Sequence, residues 1–351
     1  MNPQNRIDKS SWKVIIPDVV KRRDQSVGHG FCNGHPVGSA HAMGGKEVAV
    51  WWPGNTPVLI TSAKYKEARI TYARGNAIAG VWSTGKGSKE GAIVWSFDKS
   101  GLMKDTDLHD PSRYTGSAAM ATTGGVHVGS GDPKAKGKRW QDIKTVGLVW
   151  RDEANAVELP APATVDVSVN GTDGESHVGA IDGGIAVVWR GEKSQPIELG
   201  PKDAASQALA VHDQEQVGVV WRKGEPHAAL WKGTATSLVD LTPRGFAAAR
   251  AQDCAQGFQT GLVKKRERLS SGFENLESRA VLWNGSNAYF DLQDLLPNPW
   301  NASSADHIEI SDDMLRICGT AYQVVTTGSG KEAYPSLAGS TIVVWECKLR
   351  G

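Results

Sequence analysis

The stretch HAALWKG, residues 227–233, decides the fold, because the chain keeps rewriting it. RAVLWNG at 279–285, AVVWRG at 186–191 and GLVWRD at 147–152 share one order: small residue, apolar residues, tryptophan, turn. Tryptophan takes this position seven times, as Trp51, Trp95, Trp150, Trp189, Trp231, Trp283 and Trp345, at spacings of 44, 55, 39, 42, 52 and 62 residues. Self-similarity at such a period marks a repeat architecture.

Each repeat has further parts. A turn and a strand-like end follow several of the tryptophans, as in QPIELGP (195–201) and SLVDLTP (237–243). A segment centred on glycine precedes most of them: HPVGSA at 35–40, VHVGSG at 126–131, SHVGAI at 176–181, EQVGVV at 215–220, FQTGLV at 258–263 and RICGTA at 316–321. Ahead of that lies a small-residue segment such as SAAMAT or SQALAVH, and pairs such as Asn33-Gly34 and Asn284-Gly285 supply hairpin turns. The apolar runs are four or five residues long or alternate, which is strand patterning and not the 3.6-residue spacing of a helix. Four short strands in 40 to 50 residues is the arithmetic of a propeller blade.

The expectation is therefore an all-β, seven-bladed β-propeller forming a single domain over 1–351. Its blades are read at 26–62, 63–110, 111–163, 164–203, 204–245, 246–299 and 300–351. The last repeat ends six residues after Trp345, with no room for an outer strand, while WKVIIPD at 12–18 has no repeat to join. An open array would leave a sheet edge exposed, so residues 12–17 are expected to complete the seventh blade as its outermost strand.

Composition narrows the function classes. Lys plus Arg is 39 and Asp plus Glu is 38, a balance that argues against a dedicated grip on nucleic acid or an acidic membrane surface. Forty glycines fit a turn-rich β protein, and no apolar run approaches the roughly 18 residues of a membrane span. The N-terminus lacks the layout of a secretory signal, so the chain is expected to be cytoplasmic, or secreted with its leader absent. A monomer is expected. Cys32, Cys254, Cys318 and Cys347 lack metal-site or disulfide-scaffold spacing and read as small buried side chains, though Cys318 and Cys347 fall where adjacent strands could pair them.

HAALWKG followed by LVDLTP, and RAVLWNG followed by YFDLQDLLP, resemble the bacterial HAF repeat, named for its His-Ala-Phe start before Leu-Trp. Ala229 stands where that family has Phe, and only the repeat at 204–245 keeps the histidine, as His227. The resemblance covers blades five and six best. It implies a repeat fold and an extracellular setting, and it implies no chemistry.

The recurrent tryptophan reads as a wedge between one blade and the next, since its large area is buried at low rotamer cost and each burial contributes roughly 2–3 kcal/mol. Function is expected where the repeat breaks. The loops joining second to third strands are minimal in blades four and five but long in blades two, three, six and seven, at 83–91, 131–145, 264–278 and 323–340. Several are basic, giving a rim of Lys86, Lys89, Lys134, Lys136, Lys138, Arg139, Lys264, Lys265, Arg266 and Arg268. That rim would attract a small anionic ligand or an acidic protein partner. The mouth of the central channel on the same face is the other candidate. There the starts of inner strands and preceding loops are expected to gather His29, Arg69, Tyr114, Asp166, Gln207, Arg244, Arg250, Trp300 and His307.

Other motifs fail. The histidines form no HxH or HExxH pattern, GSGKE at 328–332 has the wrong spacing for a phosphate loop, and NGTDGES at 170–176 is too short for a calcium loop. No GxSxG elbow is present. No cofactor and no metal are expected. His127, His177, Gln216 and Gln259 share one repeat position and read as a shared polar packing position. The leading expectation is a ligand- or protein-binding scaffold using the long-loop face. The alternative is a lyase, hydrolase or cyclase acting on a small anionic substrate at the channel mouth, and a weaker one is a lectin with exposed aromatics.

Overall fold

The structure is a computed structural model that describes residues 6–21, 23, 25–41, 46–62, 64–65, 67–85, 89–97, 103–135, 142–151, 155–268, 274–328 and 334–350. They form β-strands, turns and a few short 3₁₀ turns, with no α-helix among them. A short strand, β1 (Lys13–Ile15), comes first. Then follow runs of four strands, each a meander. The first run is β2 (Gln25–Cys32), β3 (His35–His41), β4 (Val48–Trp51) and β5 (Val58–Ile60). The second is β6 (Glu67–Arg74), β7 (Ala77–Ser83), β8 (Glu90–Phe97) and β9 (Met103–Asp107). The third is β10 (Tyr114–Thr122), β11 (Val126–Pro133), β12 (Val146–Arg151) and β13 (Val157–Glu158).

The fourth is β14 (Val167–Thr172), β15 (Ser176–Ile181), β16 (Ile185–Arg190) and β17 (Ile197–Glu198). The fifth is β18 (Ser206–His212), β19 (Glu215–Arg222), β20 (Glu225–Trp231) and β21 (Val239–Asp240). The sixth is β22 (Ala248–Ala255), β23 (Phe258–Arg268), β24 (Glu274–Trp283) and β25 (Tyr289–Asp291). Last come β26 (Ala302–Ser311), β27 (Met314–Thr327) and β28 (Tyr334–Lys348), and the outer edge of β28 carries β1, with Val14 opposite Trp345.

Runs three to six are separate four-stranded antiparallel sheets. Runs one, two and seven merge into one twelve-stranded sheet through two single parallel bridges, Gln25 with Ser340 and Gly30 with Ala73. The first strands of successive runs lie side by side, and that of the last run, β26, lies beside that of the first, β2. The architecture is all-β and propeller-like.

The repeated tryptophan explains the packing. Trp52, Trp95, Trp150, Trp189, Trp231, Trp283 and Trp345 are all fully buried and are the largest side chains to be so. Two expectations are corrected here. In the first run the wedge is Trp52 and not Trp51. Trp52 donates its backbone N–H to Pro36, two residues before Gly38, which is the register that His127 and Trp150 keep around Gly129. Trp51 is half-buried, its ring 4.6 Å from that of Phe97. Each wedge also packs against the preceding run and not the following one. Trp231 lies among Val178, Val188 and Leu199 of run four, and Trp189 among Val128, Val149 and Leu159 of run three. Three indoles anchor there, Trp150 donating to Leu108 O, Trp189 to Pro160 O and Trp345 to Leu292 O at 2.9–3.1 Å.

The cysteines are free and buried. Cys318 sits opposite Val344 and Cys347 opposite Leu315, and they belong to different apolar clusters. The strand pairing thus separates the pair considered from sequence.

Candidate functional site

The glycine of each second strand sets the geometry of the centre. A Cβ on Gly38, Gly80, Gly129, Gly179, Gly218, Gly261 or Gly319 would stand 1.8–2.3 Å from a carbonyl oxygen of the neighbouring first strand, at Val27, Arg69, Ala118, Ser168, Gln207, Arg250 and Ser304 respectively. Only glycine admits that approach. Beyond that carbonyl every first strand carries a register shift that leaves one residue unpaired: His29, Thr71, Met120, Asn170, Leu209, Gln252 and Asp306. A bulge re-aims its side chain. Here Thr71 Oγ1 reaches Ala119 O at 2.6 Å and Asn170 Nδ2 reaches Ala208 O at 2.8 Å, each on the first strand of the next run.

Next to these bulges a polar cluster joins runs one, two, six and seven. The Asp253 side chain is 1% exposed; its Oδ2 accepts from Tyr72 OH at 3.1 Å and Ile308 N at 3.2 Å, and its Oδ1 from Cys254 N at 2.8 Å. Arg74 Nη2 stands 3.9 Å from Oδ1 and donates to Cys254 O and Ile308 O. His307 Nδ1 lies 3.8 Å from Oδ2, beyond hydrogen-bond reach, and its ring meets that of Tyr72 edge-on at 4.6 Å. Burial opposes ionisation of Asp253, but Arg74, His307 and the Ile308 N–H outweigh it and hold the carboxyl below its ordinary value. Burial and the nearby His307 push His29 down to about 3, so its ring is neutral, with Nε2 3.1 Å from Ser39 Oγ. Every group here is committed to a protein partner or closed off, so the cluster reads as a polar lock.

Open space lies beside it. The long hairpins β23–β24 and β27–β28 stand next to each other, and between them is a cleft of about 840 Å³. Its floor is the bulged Asp306 with Gln252 and Ser304; its walls carry Lys264 and Glu277 on one side and Tyr322, Val324, Val325 and Leu337 on the other. Ser304 Oγ donates to Asp306 Oδ2 at 2.9 Å. Burial raises the Asp306 carboxyl above its ordinary value, partly offset by His307, Ser304 and Gln252. The combination of a hollow and a carboxyl shifted upward is what a binding or acid–base site needs.

The structure brings only some of the expected residues together. His29 and His307 meet in the lock, below the mouth. Gln207 is half-buried on β18, and Arg250 is half-buried on β22 with its Nε unpartnered; burial pulls its pKa down. Arg69 is exposed and paired with Glu90, and Asp166 is exposed, with Lys144 holding its carboxyl below the usual range. Arg244 is exposed on its loop. Tyr114 leaves the mouth altogether: it is buried between sheets, its OH donating to Glu158 on an outer strand. Trp300 packs against the core between runs six and seven, its carbonyl accepting from Gln293. On the rim, Arg266 pairs with Glu225, Lys265 covers the Phe246 ring and Lys134 donates to Pro111 O. Lys86, Lys136, Lys138, Arg139 and Trp140 lie outside the described residues, as does the side chain of Arg268.

Tyr72, Arg74, Asp253 and Asp306 escape a reading by motif, while Lys264, expected on the basic rim, lines the cleft instead. Asp306 lacks even the spacing signal, because it stands 13 residues before Gly319 where the other six bulge residues stand nine before their glycines. The shared His/Gln position proves to be packing: His127 and His177 bond Thr122 and Thr172, and Gln216 and Gln259 accept from the turn amides of Gly233 and Gly285. No group of three metal-ligating side chains occurs among the described residues. No helix among them is long and apolar enough to cross a membrane.

No protein-family model matches the sequence, and a search of curated proteins finds no match. Solved structures do resemble it in fold. A puromycin hydrolase superposes with a TM-score of 0.59 at 14% identity, covering 90% of this chain and 53% of that one. A mutant of puromycin hydrolase complexed with PGG gives 0.58 at 15%, covering 86% and 51%. The Pyrococcus horikoshii acylaminoacyl peptidase gives 0.53 at 12%, covering 85% and 50%. The chain thus spans about half the length of these structures.

Proposed function

We propose that the chain is a seven-bladed β-propeller in a single domain, with the four-strand runs as blades and residues 13–15 as the outermost strand of the last. The HAF-like repeat then supplies blades five and six. We infer further that it holds a small substrate for a hydrolytic reaction, and that the cleft between the hairpins of blades six and seven is where it does so.

One observation carries this reading: a hollow of about 840 Å³ between the two long hairpins has a half-buried carboxyl, Asp306, at its floor. The hydrolytic part draws support from the likeness in fold to a puromycin hydrolase and an acylaminoacyl peptidase. This sequence has no nucleophile elbow, so in this reading the propeller positions the substrate and a separate catalytic module breaks the bond. The basic rim is not part of this reading: Lys136, Lys138, Arg139 and the side chain of Arg268 lie outside the described residues, and Arg266 pairs with Glu225. The lectin alternative draws little support, since the seven recurrent tryptophans are fully buried and present no ring face for a sugar to stack on.

The test is calorimetric titration of the full chain with a panel of aminoacyl compounds, puromycin among them, on wild type and Leu337→Trp. The larger ring would fill the cleft. Saturable binding that weakens at least tenfold in the variant, with an unchanged melting temperature, is expected. If nothing in the panel binds wild type, the cleft is not the working site.

A further inference from the structure

The cleft holds two charges of opposite sign that the protein leaves uncompensated. Asp306 has no cation within ion-pair distance among the described residues; its hydrogen bonds come from neutral groups such as Ser304. Lys264, on the wall formed by β23, has no carboxylate within that distance either. The other wall charge, Glu277, does have a cation, since it lies 3.2 Å from Arg279, which it shares with Asp291 and Asp294. Asp306 and Lys264 do not reach each other. They do look into the same space.

Their separation follows from strand register. Asp306 occupies in run seven the bulge position that Gln252 occupies in run six, and Gly261 of β23 faces Ala251 beside that bulge. Lys264 is three residues further along β23, towards the hairpin tip, or roughly 10 Å higher at about 3.3 Å per residue. A negative floor and a positive wall roughly 10 Å higher along the strands, with Val324, Val325 and Leu337 alongside, match an extended molecule with a cation at one end, an anion at the other and an apolar group between them.

Resting on the reading of this cleft as the substrate site, we propose that its ligand is a short peptide of about three residues with free termini, entering amino end first. The α-ammonium takes Asp306, the carboxylate takes Lys264, and an apolar side chain lies against Leu337 and Val325. Three extended residues span about 10 Å, whereas a single amino acid is too short to engage both charges. Compensation by the ligand explains why a carboxylate is retained at a half-buried position where, alone, it is costly.

The experiment compares Leu-Gly-Gly, its N-acetyl derivative and its C-terminal amide by calorimetry on the full chain. Each blocked peptide is expected to bind at least tenfold more weakly than the free one. Asp306→Asn should abolish the difference between free and acetylated peptide while leaving the penalty for the amide. Lys264→Met should do the reverse. Melting temperatures report that both variants are folded. If all three peptides bind wild type equally and Leu337→Trp weakens them all, the cleft is a site but its ligand is not a zwitterion, and this proposal falls while the site reading stands. If none binds wild type, the proposal is overturned as well; the site reading falls with it only if the aminoacyl panel also fails to bind.

Discussion

The surfaces between sheets and the centre of the molecule follow opposite rules. Between sheets one solution is repeated: a buried tryptophan set against the aliphatic side chains of the preceding run. At the centre the backbone bulge repeats but the side chains do not, and Tyr72, Asp253, His307 and His29 each come from a different run. Apolar burial tolerates repetition because it is non-directional. A polar cluster is specific because each donor must find its own acceptor. The repeated surfaces therefore specify shape, and the unrepeated centre is where specificity is written.

Three substitutions can break or sharpen this contrast. The largest effect is expected from Trp231→Ala. Its indole N–H makes no hydrogen bond, so the loss is one of packing alone, about 3–5 kcal/mol in denaturant unfolding. A loss below about 1 kcal/mol would show that the wedge is not what holds the sheets.

Next comes Asp253→Asn, with an expected loss of about 2–3 kcal/mol at pH 7, since Arg74 is left without its buried partner. The folded-state pKa of Asp253 lies below its ordinary value. Its stabilisation is therefore complete above the unfolded value near pH 4 and is lost as pH falls through the folded value. Wild type should destabilise more steeply than the variant in that acid window. Parallel acid limbs in thermal melts would mean that the ion pair contributes nothing.

The smallest effect carries the opposite sign. The Asp306 carboxyl is raised in the fold, so stability falls as pH rises from the unfolded value through the folded one. Asp306→Asn should then stabilise the unliganded protein at pH 7, by about 0.5–1 kcal/mol. A loss of stability in melting experiments would make Asp306 part of the lock and remove it from the site.

How much was legible in the sequence follows from the same contrast. The repeated tryptophan and glycine reveal the strand count of each run, because every copy restates them. The AVWW of residues 49–52 misleads by one place: in a strand neighbouring residues face opposite sides, and composition alone does not say which tryptophan turns inward. The glycine of each second strand is visible in sequence, but its effect, a bulge in the strand before it, is a matter of carbonyl contact and carries no residue signature. Tyr72 and Asp253 lie 181 residues apart and belong to no motif. Asp306 stands among ordinary strand residues, and only the length of the hairpins that shelter it was visible beforehand. Tyr114 shows the reverse error, an aromatic at a strand start whose hydroxyl found an acceptor on an outer strand.

The strand Lys13–Ile15 pairs with the strand that carries Trp345. Val14 and its partner Trp345 lie 331 residues apart in sequence, so β1 waits unpaired while the runs between them are made. Loop closure on that scale is slow, and until it happens the last sheet shows an open edge that another chain could join. The same pairing makes the circle one cooperative object. An array of stacked repeats can fray from its ends, but runs fastened by the pairing of β1 with β28 offer no open sheet from which to start.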